Sequence, residues 1–158
     1  AIIRAGLPMT SGSQEPSGTS PYPAEAWKLP TVNIDDVKAA AKDPGSLVID
    51  VREAYRYRGE KEPIDLVAGH IPGAINIPYL NNLSDDGSFR SAEDLASQYQ
   101  DILKQRDTSK VIVHCGSGVT ACHTLLALEQ AGIKGANLYV GSWSEWSRRD
   151  LPVGKGEI

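Results

Sequence analysis

The chain is predicted to be an α/β fold, a three-layer α/β/α sandwich with a mostly parallel central sheet. Three observations predict it. Four runs of strand length, 47–51, 74–77, 110–114 and 136–140, are almost wholly apolar, as strands covered on both faces must be. Segments of helical length and polarity separate them, which calls for crossover connections between parallel strands. Glycine, proline and capping residues punctuate the boundaries.

Asn33 is placed to cap a helix over 34–42, which Pro44 and Gly45 end. The first strand, Leu47-Val48-Ile49-Asp50-Val51, follows. The turn Gly69-His70-Ile71-Pro72-Gly73 leads into the second, Ala74-Ile75-Asn76-Ile77. Ser91 then caps a helix running to Arg106, with Asp94 as the acid of a capping box. The third strand ends on His114, and the loop Cys115-Gly116-Ser117-Gly118-Val119-Thr120 opens a helix over 121–131. After the last strand, Ser142 caps a short helix on which Trp143 and Trp146 stand three residues apart and pack the edge of the site.

Residues 1–30 differ from this pattern. The stretch 10–23 is dense in Gly, Pro, Ser and Thr, which is linker chemistry, and Ile2, Ile3, Leu7 and Met9 precede it. An apolar start followed by a linker reads as the end of a preceding domain, or else as a tail packed on the surface, with Trp27 as a linker anchor. The domain proper is expected over 31–158.

A chain of 158 residues with 41% hydrophobic content can bury a core without staples. Its net charge of −4 and lack of a basic stripe argue against nucleic acid or an anionic membrane as partner. No run is long enough to span a bilayer, and the first six residues lack the pattern of a signal peptide. Only two cysteines occur, Cys115 and Cys122, and with one of them on a loop before a helix, a reducing and hence cytoplasmic setting is expected.

Cys115 concentrates the chemistry. It stands at the carboxyl end of a strand, where active sites of parallel sheets lie, and before a helix whose first N–H groups and dipole favour an anionic sulfur. Gly116 and Gly118 let the backbone curl around an anion. The alternative is an inert buried thiol. Cysteine-dependent phosphatases and arsenate reductases place an arginine six positions after a His-Cys pair to grip the oxyanion. Here His114-Cys115 begins that pattern, but Ala121 stands where the arginine would, so this chemistry remains only as a distant alternative.

The remaining polar residues each carry two readings. Asp50 and Arg52 either brace the loops by charge-assisted hydrogen bonds or, for Arg52, contact substrate. His70 orders its turn or acts as an acid or base. Cys122 is expected as core filler, the alternative being a resolving thiol. His123 has no partner evident in the sequence.

Four motifs, Asp50-Val51-Arg52, Gly69-His70-Ile71-Pro72-Gly73-Ala74, Cys115 to Ala121, and Gly141-Ser142-Trp143-Ser144-Glu145-Trp146, occur in the order and spacing of rhodanese sulfurtransferase domains. The resemblance covers about residues 31 to 155 and is closest to the catalytic C-terminal half of two-domain thiosulfate or 3-mercaptopyruvate sulfurtransferases. Arg4-Ala5-Gly6-Leu7-Pro8 resembles the end of the inactive N-terminal half.

This resemblance implies an enzyme that moves sulfane sulfur through a Cys115 persulfide to cyanide or a thiol, without metal or organic cofactor. It implies that N–H groups from Gly116 to Ala121 hold the persulfide, that Thr120 donates its hydroxyl to the sulfur, and that Arg56 binds the donor's carboxylate or sulfonate. For Arg56 the plain alternative is a solvated arginine near Arg58 and Glu60. Mercaptopyruvate enzymes often carry a further arginine in the next loop; here 60–65 has none, and Lys61 substitutes only in part. Gly116 and Ser117 stand where thiosulfate enzymes tend to be basic, which favours mercaptopyruvate, with Ser117 as a proton relay completed by the other domain. The donor stays open. A non-catalytic interaction or sulfur-carrier module is the other functional class, against which an intact cysteine weighs.

Overall fold

The strand Leu47–Asp50 (β2) is buried along its whole length, and its side chains alternate between two cores: Leu47 and Ile49 point to one, Val48 to the other. The strand Val111–His114 (β4) pairs with it in parallel and does the same, with Val111 and Val113 on one face and Ile112 opposite. Both faces are therefore covered, which explains the unbroken apolar runs. The computed structural model describes residues 5–13, 23, 26 and 28–156, so Trp27, Ile2, Ile3 and Arg4 lie outside it.

Flanking these central strands are Ile75–Asn76 (β3), beside β2, and Asn137–Tyr139 (β5), beside β4. A further strand, Thr31–Val32 (β1), pairs with β5 and makes five strands where the sequence suggested four. Two residues carry no periodicity to read. The order is β1-β5-β4-β2-β3, with every ladder parallel.

Helices Ala92–Leu103 (α3) and Val119–Gln130 (α4) cover the face of Val111 and Val113 through Leu95, Tyr99, Ala127 and Leu128. Helix Ile34–Ala40 (α1) and helix Ser142–Trp146 (α5) cover the other through Val37, Trp143 and Trp146. The short helix Ala54–Tyr57 (α2) follows β2. Asn33 forms a full capping box with Asp36. At α3 the box is only half made. Ser91 Oγ accepts from the Asp94 N–H, but the Asp94 carboxylate accepts from the Ser91 hydroxyl instead of its backbone. That helix stops at Leu103 and not at Arg106, because Lys104 (φ 48°) and Gln105 (φ 62°) turn left-handed.

The topology fixes where a site can form. From β2 the chain crosses outward to β3, and from β4 it crosses the other way to β5, so the loops leaving β2 and β4 part and open a crevice at the strands' carboxyl ends.

Candidate active site

Cys115 follows β4 directly and stands on the β4 side of that crevice, 2% exposed. Its sulfur accepts the Gly118 N–H at 3.1 Å. Gly118 is the N-cap of α4 and lies at φ +86°, where a Cβ would come within 3.0 Å of the Val140 carbonyl. The loop is thus wound so that the first free N–H of the helix faces the sulfur. Val119 and Thr120 belong to the first turn of α4, Ala121 is fully buried behind them, and Ser117 and Val119 are exposed at the mouth. Thr120 lines the cavity, but among the described residues its hydroxyl makes no bond to the sulfur, which has Gly118 as its donor.

Helix α5 holds the loop from the other side. The N–H groups of Trp143 and Ser144 donate to the carbonyls of Cys115 and Gly116 at 2.9 and 2.8 Å, which keeps both carbonyls turned away from the crevice. Ser142 is not the helix cap that its side chain suggested. It is the first helical residue, at φ 52°, and its hydroxyl accepts from the Cys115 N–H at 3.2 Å while donating to the Tyr139 carbonyl at 2.9 Å. The strained backbone is compensated by this double bond at the root of the cysteine loop.

From the β2 side comes Arg56, on α2. A Cβ on Gly116 would stand 3.4 Å from its Nη2, so the guanidinium rests against the loop backbone. It is not a solvated arginine: it is 6% exposed and donates through Nε and Nη2 to Glu62, at 3.1 and 2.7 Å, with Glu53 and Asp65 each 3.5 Å away. Burial pushes the Glu62 carboxyl up, but the bonds and charge of Arg56 together with the N–H groups of Ile64 and Asp65 outweigh it and hold the group below its usual range.

Arg52 does not reach the crevice. It is 1% exposed, and its Nε, Nη1 and Nη2 donate to Asp50, Glu62 and the Gly69 carbonyl while its guanidinium lies 4.6 Å over the Trp143 ring. The expectation of a substrate contact is corrected, since its donors are committed to protein acceptors. Asp50, fully buried, is the anchor of that brace, and Trp143 is its floor. His70 stacks on Tyr57 at 3.9 Å, keeps Nδ1 2.8 Å from the Tyr57 carbonyl and pairs through its backbone with Gly154. Its turn is held by these bonds, away from the cavity walls.

Cys122 is exposed on α4 and not core filler, because the helix turns Ala121, Thr124, Ala127 and Leu128 inward and leaves Cys122 on the outer side beside Leu125 and Leu126. His123 lies between Tyr79 and Phe89. Lys61 is exposed and forms no part of the cavity wall.

Around the sulfur is a cavity of about 220 Å³, with the cysteine loop as floor and Arg56, Ile64, Tyr79 and Ser144 as walls. Its volume falls below the ~300 Å³ at which drug-sized pockets begin, so it admits a small molecule. A wider cleft of about 1010 Å³ beside Lys104 and Ile133 contains no residue of the cysteine loop. Two polar residues of the site were not evident in the sequence: Ser144 on α5, which lines the cavity, and Asp65 behind it, which accepts from its hydroxyl at 2.6 Å. Nucleophile, N–H donor and guanidinium together can bind a small anion and accept an atom from it.

The model of the rhodanese-like domain family matches residues 33–149. Among curated proteins the chain is 42% identical over 155 residues to a probable 3-mercaptopyruvate sulfurtransferase of Pseudomonas aeruginosa, covering 95% of this chain and 54% of that protein. It is 36% identical over 156 residues to the thiosulfate sulfurtransferase of Rattus norvegicus, covering 95% and 51%. Among solved structures, the 3-mercaptopyruvate sulfurtransferase from Leishmania major matches with a TM-score of 0.70 at 33% identity, over 92% of this chain and 41% of that one. The chain spans about half the length of the curated relatives it matches.

Proposed function

Because the chain belongs to the rhodanese-like domain family, we propose that it carries sulfane sulfur on Cys115, taking it from a small donor and passing it to a thiophilic acceptor. The observation that carries this reading is the Cys115 sulfur facing the Gly118 N–H, in a cavity that also holds a guanidinium.

In the first half-reaction the Cys115 thiolate attacks the outer sulfur of thiosulfate. The donor's S–S bond breaks, sulfite leaves with the electron pair, and the sulfur stays as a Cys115 persulfide. With 3-mercaptopyruvate the C–S bond breaks instead and pyruvate leaves. Arg56 attracts the donor's sulfonate or carboxylate, while the loop N–H groups stabilise the negative charge that builds on sulfur. In the second half-reaction cyanide or a thiol takes the outer sulfur and Cys115 is regenerated. The relatives include named enzymes for both donors, and the neutral Gly116-Ser117 pair favours mercaptopyruvate.

Among the described residues Arg56 is the one cationic side chain that lines the cavity, and it is shared among three carboxylates. We assign the rest of the donor's binding surface to a preceding rhodanese-like domain, consistent with relatives about twice the length of this chain.

The test is intact mass. Mixing the chain with thiosulfate or mercaptopyruvate adds one sulfur atom, which cyanide removes, and Cys115→Ser gains none. No adduct on the unaltered chain, or an equal adduct on Cys115→Ser, overturns the reading.

A further inference from the structure

Asp65 is a buried carboxylate, its side chain 1% exposed, with one oxygen in use and one bare. Its Oδ1 accepts from the Ser144 hydroxyl at 2.6 Å and lies 3.5 Å from Arg148 Nη1. Its Oδ2 makes no hydrogen bond: Arg56 Nη2 stands 3.5 Å off, as an ion-pair neighbour only. That oxygen faces the cysteine loop, 3.7 Å from where a Cβ on Gly116 would be. A purely structural carboxylate at this depth would have both oxygens satisfied, and a bare one beside a nucleophile marks a group whose charge is used.

Ser144 connects this carboxylate to the cavity. Its hydroxyl spends its proton on Asp65, so the lone pairs left to it can only accept, and the residue lines the same cavity as Cys115. Its backbone N–H is fixed on the Gly116 carbonyl at 2.8 Å, so the hydroxyl is held in register with the loop.

We propose that Ser144 and Asp65 accept the proton of a thiol acceptor in the second half-reaction, an inference that rests on Cys115 carrying the sulfur. A thiol becomes a competent nucleophile on losing its proton. That proton passes to Ser144 Oγ as the Ser144 proton passes to Asp65. The thiolate then forms a bond to the outer sulfur of the persulfide, the bond between that sulfur and Cys115 breaks, and Cys115 leaves with the electron pair. Asp65 ends neutral, the acceptor carries the persulfide, and the charge lost by the carboxylate equals that gained by the sulfurs. Solvent takes the proton afterwards. Asp65 acts through Ser144, whose oxygen meets the thiol.

The experiment discharges a persulfide-loaded chain with two acceptors and follows the loss of the sulfur by rapid-quench mass measurement. 2-Mercaptoethanol has a proton to lose. Sulfite, at mildly alkaline pH, is a dianion with none. Ser144→Ala and Asp65→Asn are expected to slow discharge by the thiol about a hundredfold and discharge by sulfite hardly at all. Ser144→Thr, which keeps the hydroxyl, restores the thiol rate. Raising the pH toward the thiol's own ionisation closes the gap between variant and unaltered chain, which a loss of packing would not do. Equal slowing with both acceptors, or an unchanged thiol rate in Ser144→Ala, overturns the proposal. A chain that never loads sulfur instead overturns the reading of Cys115, and the two failures are distinct.

Discussion

Arg56 and Gly116 meet across the crevice between β2 and β4, with Nη2 only 3.4 Å from the point where a Cβ on that glycine would sit. The contact puts the cavity's guanidinium against the loop that carries the nucleophile, although 60 positions separate them in the chain. Its charge is offset by Glu62, Glu53 and Asp65.

Replacing Arg56 by alanine therefore removes a charge-assisted hydrogen bond to the donor, worth about 1.5–3 kcal/mol. The expected outcome is a fall in kcat/KM for the donor of about ten- to a hundredfold. Discharge of preformed persulfide by 2-mercaptoethanol, which carries no anionic group, changes much less. Steady-state kinetics with thiosulfate and with mercaptopyruvate, beside single-turnover discharge by that thiol, check it; equal effects on loading and on thiol discharge would count against a donor-binding role.

Gly118 tests the sulfur's hydrogen bond. At φ +86° an alanine is strained by about 1–3 kcal/mol, and its Cβ meets the Val140 carbonyl at 3.0 Å, so the turn must shift and carry the N–H off the sulfur. Gly118→Ala is expected to lower stability by that amount and to slow persulfide formation about tenfold or more, on the scale of losing one donor at a charge-stabilising site. Urea unfolding and the rate of sulfur loading measure the two effects separately. Ala121, buried behind the loop and carrying no bond to the sulfur, gives the control site: Ala121→Gly leaves the N–H donor in place and retains most of the loading rate.

Acid sensitivity follows from His114, whose fully buried ring leaves Nε2 without a hydrogen bond, 3.8 Å from Asp50. Burial holds its pKa below the usual 6.5, outweighing the attraction of the Asp50 carboxylate. Burial also pushes the Asp50 carboxyl up, and His114 and Arg52 more than reverse it; the Arg52 ion pair at 2.6 Å is the one present while His114 is neutral. An unfolded chain takes up the imidazole proton near pH 6.5 and the folded one only lower. The stability from keeping His114 neutral is thus complete above 6.5 and is lost as pH falls through the window beneath it. His123, also lowered by burial, acts in the same direction. Tm is expected to hold steady above that pH and to fall below it, with His114→Phe reducing the fall in part. A Tm that rises on acidification below 6.5 would contradict this.

Much of this arrangement could be read from residues in a row. Leu47 to Asp50 and Val111 to His114 announce themselves as strands because both faces are buried, and Cys115 with Gly116 and Gly118 is a contiguous loop. Thr31–Val32 and the four-residue helix bearing Arg56 are too short for any periodicity, and their existence depends on β5 and Glu62. Ser142 was legible as a polar residue at a helix start, but not as one at positive φ bonded to the Cys115 N–H. Asp65 and Ser144 lie 79 positions apart, and their contact exists only once α5 has docked on the loop after β2. A local rule has no access to such a pair.

Loading the sulfur requires only the nucleophile and its N–H donor, both within the cysteine loop and fixed by Ser142, Trp143 and Ser144 of α5. Holding the donor requires more. With Arg56 compensated by three carboxylates, and Ile64 and Val119 exposed at 73% and 71% beside the cavity, the chain offers one shared cation and an open apolar rim. Binding energy from remote parts of a site lowers KM and holds the reacting atoms in line, so a site lacking part of its wall loses affinity before it loses chemistry. The chain alone is therefore expected to form its persulfide fully with excess donor, but with a KM about tenfold or more above that of the same chain joined to the preceding domain proposed above. Equal kcat/KM for the two would show that this half suffices, and would remove the preceding domain from the donor site.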